Sequence, residues 1–202
     1  MKVKLSQGEL KRMRDALRQY ERYLPTLQLK KQQLQLEIVH LQTALSEVSR
    51  ALAQKEETAR DWAGLLGEMP GIAGWLTPVQ VVISGKNIAG VDIPLYECVE
   101  FGKADYDLFL SPPWLDGGLI ALREIVSLRE EADVIRNGIA ILSQELRITT
   151  QRVNLFEKVK IPEAKEAIRL IKIHLGDQMT NAVGRSKIAK KKIEESNASG
   201  VA

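Results

Sequence analysis

Cys98 is the only cysteine in a chain of 202 residues, which excludes an internal disulfide and any metal cluster built on cysteine. Aromatic residues amount to 5 %, poor material for the thick core of a globular domain. No stretch approaches the ~20 apolar residues that span a bilayer. No secretory pattern opens the chain, because its first residues turn polar and charged within a few positions. A strong charge of one sign is missing too. The 29 basic residues against 26 acidic leave a net charge of +3, and a dedicated nucleic-acid binder carries a larger basic excess. What the chain has in quantity is Leu, Ala, Glu, Lys, Gln and Arg, the residues of long helices. The expectation is a soluble, intracellular, helical protein.

The dominant pattern is a heptad stripe. From Leu10 alternating steps of three and four land on Met13, Leu17, Tyr20, Leu24, Leu27, Lys31, Leu34, Ile38 and Leu41. They go on through Leu45, Val48, Leu52, Lys55, Ala59, Trp62 and Leu66, and fifteen of these seventeen positions are apolar. A straight helix drifts by ~20° per heptad against a strict seven-residue repeat, so a stripe this long stays buried only in a left-handed supercoil around a partner. Ser6 and Glu9 fit a capping box at its start, and Gly67 with Pro70 ends the run.

A second stripe runs through Ala121, Ile125, Leu128, Ala132, Ile135, Ile139, Leu142, Leu146, Thr149, Val153 and Phe156. Beyond Pro162 it resumes less regularly at Ala164, Ile168, Ile171 and Leu175, so its phase slips near the proline. Two such helices in one chain fold back most simply as an antiparallel hairpin. With Leu66 level with Ala121, paired positions sum to about 187 and Pro25 faces Pro162. Two helix bends at one height are then expected. The fold class predicted is all-α, a long antiparallel two-helix left-handed coiled coil with a small β-hairpin insert at the loop end. The expected boundaries are 1–66 for the first helix, 67–118 for the insert, 119–196 for the second helix and 197–202 for a disordered tail. The second helix should overhang the first by about ten residues, so both termini lie at one tip.

The insert holds five of the seven prolines, and its stretch PVQVVISGKNIAGVDIPLYECVEF is rich in β-branched residues. That reads as a β-hairpin. Its turn sits either at Gly85-Lys86 or at Ala89-Gly90, with the second preferred. Trp75, Tyr96, Phe101, Tyr106, Phe109 and Trp114 concentrate here, and a short hairpin cannot bury them all by itself. Either they pack on the coiled-coil end or they face a partner. Asn87, Ile88, Val91, Ile93, Tyr96 and Phe101 are the candidate partner contacts.

No catalytic constellation is visible. There is no phosphate-binding loop and no dinucleotide fingerprint, and nothing brings an acid and a base to a common point. No cofactor or metal is expected. His40 and His174 read as helix-flank residues, and Glu130 and Glu131 near Arg129 as ordinary helix-surface charge. Lys31 and Lys55 interrupt the first stripe. Either their stems lie along the seam with the charges reaching solvent, or they set register at some cost in stability, or they face a partner carboxylate. Arg185, Lys187, Lys190, Lys191 and Lys192 make the terminal overhang basic, either as a solvated face or as the place where a charged tip meets an acidic sleeve or an anionic surface. No stacking aromatics accompany them, which disfavours nucleic acid.

Three stretches carry a resemblance to a known family. RYLPTLQLKKQQL (Arg22 to Leu34), NIAGVDIP (Asn87 to Pro94) and ITTQRVNLFEKVKIPEAKEAIRLIKIHL (Ile148 to Leu175) resemble the D-subunit family of V-type (vacuolar/archaeal-type) rotary ATPases. SPPW (Ser111 to Trp114) is read without the help of that resemblance. The resemblance implies a non-catalytic central rotor shaft inside a headpiece ring of catalytic A and regulatory B subunits. It implies the F subunit of the central stalk as a companion, and a funnel subunit joining the shaft to the ion-translocating membrane ring. It also implies a peripheral position on the cytoplasmic side of the membrane, without insertion. Carried onto this chain, it directs the tip with Met1 and the Arg185 run into the headpiece, and Asn87 to Pro94 toward the membrane-facing end. The rival readings are a prefoldin-like coiled-coil chaperone and a structural adaptor. Prefoldin-like chains are shorter and need apolar tips, whereas these tips are basic and polar.

Overall fold

The computed structural model describes residues 4–69, 71–107 and 109–199, with side chains through Glu195. The elements are α1 (Gln7–Arg60), a 3-10 segment (Ala63–Glu68), α2 (Ile72–Leu76), β1 (Pro78–Ile88), β2 (Val91–Phe101), α3 (Leu115–Leu155), a π turn (Phe156–Lys160) and α4 (Ile161–Ser199). The chain divides into two compact units. One is Leu29–Thr149, and the other joins the residues up to Gln28 with those from Thr150 onward.

In the Leu29–Thr149 unit the two stripes meet as an antiparallel helix pair. Lys30 reaches Glu145 at 2.9 Å and Lys55 reaches Glu124 at 2.6 Å, so moving forward along α1 means moving back along α3. Leu34 and Leu142, both seam positions, are fully buried. α1 stops at Arg60, six residues before the expected Leu66. The last two seam residues are used differently. Trp62 lies against Trp114 with ring centroids 6.4 Å apart. Leu66 packs on a second core of Ile72, Leu115 and Leu119, with Trp75, Tyr106 and Trp114 around it. Tighter backbone bonds such as Leu65 N–H to Trp62 C=O, 3.0 Å, turn the chain into that core. Pro70, the expected helix stop, lies outside the described residues.

The insert forms the expected two-stranded antiparallel hairpin, with Ile88 paired to Val91. The turn is Ala89-Gly90, both with positive φ (52° and 78°), as a two-residue type I′ turn requires. Asn87 locks it. Its carboxamide donates to Asp92 at 2.6 Å, and its Oδ1 accepts from the Gly90 N–H at 3.1 Å. The hairpin tip does not stand off at the loop end. Ile93 is 2 % exposed in one core with Leu34, Ile38 and Leu142, and Ile88, Ala89 and Val91 pack on that core. Burying a β-branched residue against the helix pair removes apolar surface from water that a free hairpin would leave exposed.

In the other unit Ser6 caps α1, its Oγ accepting from the Glu9 N–H at 3.3 Å. α1 runs through Pro25 without a break. The phase slip near Pro162 has a structural form. Continued strictly from Phe156, the heptads would fall on Lys160, Glu163, Ala167, Leu170 and His174. Moved one residue on, they become Ile161, Ala164, Ile168, Ile171 and Leu175. The π turn supplies that one residue, its Ile161 N–H bonding back to Phe156 C=O. Ala164 (5 %) and Ile171 (0 %) are buried, with Ala167 beside them. The contacts across this unit fall on both sides of a strict register. Tyr20 meets Phe156, ring centroids 5.3 Å apart, and Pro162 lines a groove with Met13, Ala16 and Tyr20. Glu21 meets Lys165 at 3.5 Å, within one residue of the expected register. α4 remains helical to Ser199, three residues past the expected end. The last three tail residues, 200–202, lie outside the described residues.

Candidate functional site

The surfaces that remain after folding are the candidates, and the hairpin is the first of them. Its inner side is spent within the chain. Lys86 Nζ donates to Glu37 Oε1 at 2.7 Å, and that hydrogen bond, with help from His40, holds the Glu37 carboxyl below its usual range. Arg123 of α3 grips the strand ends. Its guanidinium donates to the carbonyls of Gly102 (2.7 Å) and Trp75 (3.2 Å) and lies 5.1 Å from the Phe101 ring centre. Burial pushes the Tyr96 phenol up, against its bond to Ser127. Of the residues expected to meet a partner, Ile93 is buried, and Ile88, Val91, Tyr96 and Phe101 are half-buried. Only Asn87 is exposed, and its side chain is committed to the turn.

The outward apolar residues are others. Val79 (72 % exposed), Ile83 and Leu95 project from the hairpin strands. Leu29, Leu36 and Val39 are also exposed. Leu29 and Leu36 each follow a seam leucine by two positions, which turns them away from α3. Heptad analysis could have found that pair by counting a second apolar row seven residues apart. Phe109 and Leu110 are exposed on a turn capped by Asp107, whose Oδ1 accepts from the Phe109 N–H at 2.8 Å. The insert aromatics thus divide. Trp75 lies 5.3 Å from Tyr106, Trp62 meets Trp114 and Phe101 meets Arg123, while Phe109 faces solvent. In the SPPW stretch Trp114 donates to Glu68 at 3.0 Å, and Tyr106 hydrogen-bonds Asp116.

Arg185, Lys187, Lys190, Lys191 and Lys192 lie along exposed α4. Lys190 and Lys191 are partly offset by Glu194 and Glu195, at 3.8 and 3.7 Å. From Gly176 to Glu195 no described residue is buried, and only Gly184 is even half-buried. The neighbouring groove lined by Gln7, Leu10, Lys172 and Met179 marks where α1 begins against α4. Of the two seam lysines, Lys55 faces a carboxylate on the opposing helix (Glu124), and so does Lys30, the neighbour of Lys31. Arg129 likewise crosses to Glu56 at 2.8 Å. His174 bonds Gln178 at 2.9 Å. Among the described residues no cluster of His, Cys, Asp or Glu has a metal-holding arrangement, and no helix is long and apolar enough to cross a membrane.

A family model for the D subunit of ATP synthase matches residues 9–191. The V-type ATP synthase D subunit of Borreliella burgdorferi is 41 % identical over 196 residues, covering 97 % of both chains. The protein so described from Chlamydia pneumoniae is 35 % identical, covering 99 % of this chain and 97 % of its own. That of Chlamydia muridarum is 34 % identical, over 96 % and 97 %. The likeness spans both units.

Proposed function

Because the chain belongs to the ATP synthase D-subunit family, whose members are non-catalytic stalk subunits of V-type ATP synthases, we propose that it is the central rotor of such a complex. In this reading it carries torque between an ATP-hydrolysing headpiece and an ion-translocating membrane ring, and the reverse in synthesis. The F subunit binds beside it, the A and B subunits surround it, and a funnel subunit takes its membrane-facing end. It lies on the cytoplasmic side of the membrane, held peripherally by the complex.

The observation that carries the reading is the paired seam. Two long helices packed antiparallel resist twisting better than one, and ion pairs such as Lys55–Glu124 tie them across the seam. A body with different side chains on each face touches each surrounding subunit differently. Differential contact is what biases a neighbour's conformational equilibrium. The basic run from Arg185 to Lys192 suits entry into an acidic sleeve.

Co-expression with the neighbouring gene products tests the proposal. The expected result is co-purification with a small companion and a nucleotide-binding ring, no ATPase activity in the isolated chain, and loss of ATP-driven ion uptake when it is omitted. Ion uptake that persists without the chain would overturn the rotor reading.

A further inference from the structure

We infer that the π turn at Phe156–Lys160 is a built-in soft joint, the place where the second helix re-phases on α1 and yields to twist. The inference rests on the rotor reading for its purpose, but on this unit's own geometry for its existence.

Three observations meet at this turn. A π turn is rare, and inside an α-helix it marks one inserted residue, often at a functional position. Here the insertion is matched by the side chains, since a strict heptad would press Lys160 and Glu163 into the seam and the shifted one presents Ile161 and Ala164. Pro162, the second residue of α4, removes a backbone donor and crowds the carbonyl four residues earlier, and a wider turn before it relieves that clash. The packing beside it is thin. A groove of about 520 Å³ opens between α1 and α4, lined by Met13, Ala16, Tyr20, Pro162, Ala167 and Leu170. Val159 of the turn is 40 % exposed and Leu155 just before it 44 %. The Tyr20–Phe156 ring contact anchors the turn's first residue, and buried Ala164 anchors the side after it, so the compliant part is confined to the residues between.

Sequence and structure therefore agree on where one residue is surplus, and removing it is the test. Lys158 is exposed and takes part in no seam. Deleting it from the full-length chain should replace the π turn by α-helix and make the heptads continuous from Phe156 to Leu175, while leaving the facing residues in place. The control is deletion of Gln151, five residues before the turn, which throws the adjoining seam out of phase. Amide exchange across 157–161 in the unaltered chain should be about tenfold faster or more than in the flanking turns. Lys158 deletion should remove that difference and raise the melting temperature, whereas Gln151 deletion should lower it. In the assembled complex, Lys158 deletion should narrow the angular fluctuations of a bead carried by the chain. Uniformly slow exchange across the turn, a Lys158 deletion as damaging as the control, or unchanged fluctuations would each overturn the soft joint. Failure of the unaltered chain to enter any complex would instead count against the rotor reading, and the exchange result would stand apart from it.

Discussion

Ile93 is the residue on which the hairpin's position turns. It is the third residue of β2, close to the turn, 2 % exposed, among Leu34, Ile38 and Leu142. Truncation to alanine leaves a cavity between three elements that cannot all collapse into it, so Ile93→Ala should cost about 2–5 kcal/mol. A urea unfolding curve measures it, and a cost under about 0.5 kcal/mol would mean the tip is not held there. Lys86 adds a weaker tie. Because Lys86 lowers the Glu37 pKa from its usual 4.5, the pair's contribution is complete above that value and fades as pH falls through the lowered one. Half of the Lys86 side chain is exposed, and solvent screening keeps the effect small. Lys86→Met should therefore lower the melting temperature by about a degree or two at pH 7. The gap to the unaltered chain should close on acidification below the Glu37 range. A gap independent of pH would show that the lysine acts through its stem and not through Glu37.

At the scale of elements, the Ala89-Gly90 turn shows how local backbone chemistry sets a register. Both residues are left-handed, and Gly90 at φ 78° is free of the Cβ penalty that Ala89 bears at φ 52°. Gly90→Val should cost about 1–2 kcal/mol or more, since a β-branched residue tolerates that region poorly. Chemical shifts of Asn87 and Asp92 would report the loosened turn, and unchanged shifts would argue that the tip packing alone holds it. The sequence narrows this turn to two positions, because its cause lies within four residues, and the backbone geometry decides between them. The seams were legible for a similar reason, a period sustained over many turns, and the slip near Pro162 showed as a change of phase. The folding back of the hairpin was not readable. Ile93 alternates like any strand residue, and only the third dimension brings it to Leu34 and Leu142. The same limit explains why Ile93 reads as a partner contact in the sequence. An antiparallel register depends on where the turn at the far end closes, and there Leu66 joins the second core while Trp62 packs on Trp114.

For the whole molecule, the question is which segments serve the fold and which serve partners. α4 answers it most sharply. Up to Leu175 it gives Ala164, Ala167 and Ile171 to the unit it shares with the start of α1. Beyond Leu175 nothing described on it is buried, yet that length carries Arg185, Lys187, Lys190, Lys191 and Lys192. An exposed helix with no core of its own contributes little to stability, because isolated helices are marginal in water. A chain ending at Met179 should therefore melt within a few degrees of the full-length protein. What it should lose is binding to the nucleotide-binding ring, and the full chain's hold on that ring should weaken steeply with salt, as expected for a charged tip in an oppositely charged sleeve. Differential scanning calorimetry and pull-downs at two ionic strengths check both halves. A melting temperature lower by ten degrees or so would make the overhang part of the fold. Ring binding retained by the shortened chain would move the contact elsewhere, to faces such as the Leu29–Leu36 row that the folded units leave bare.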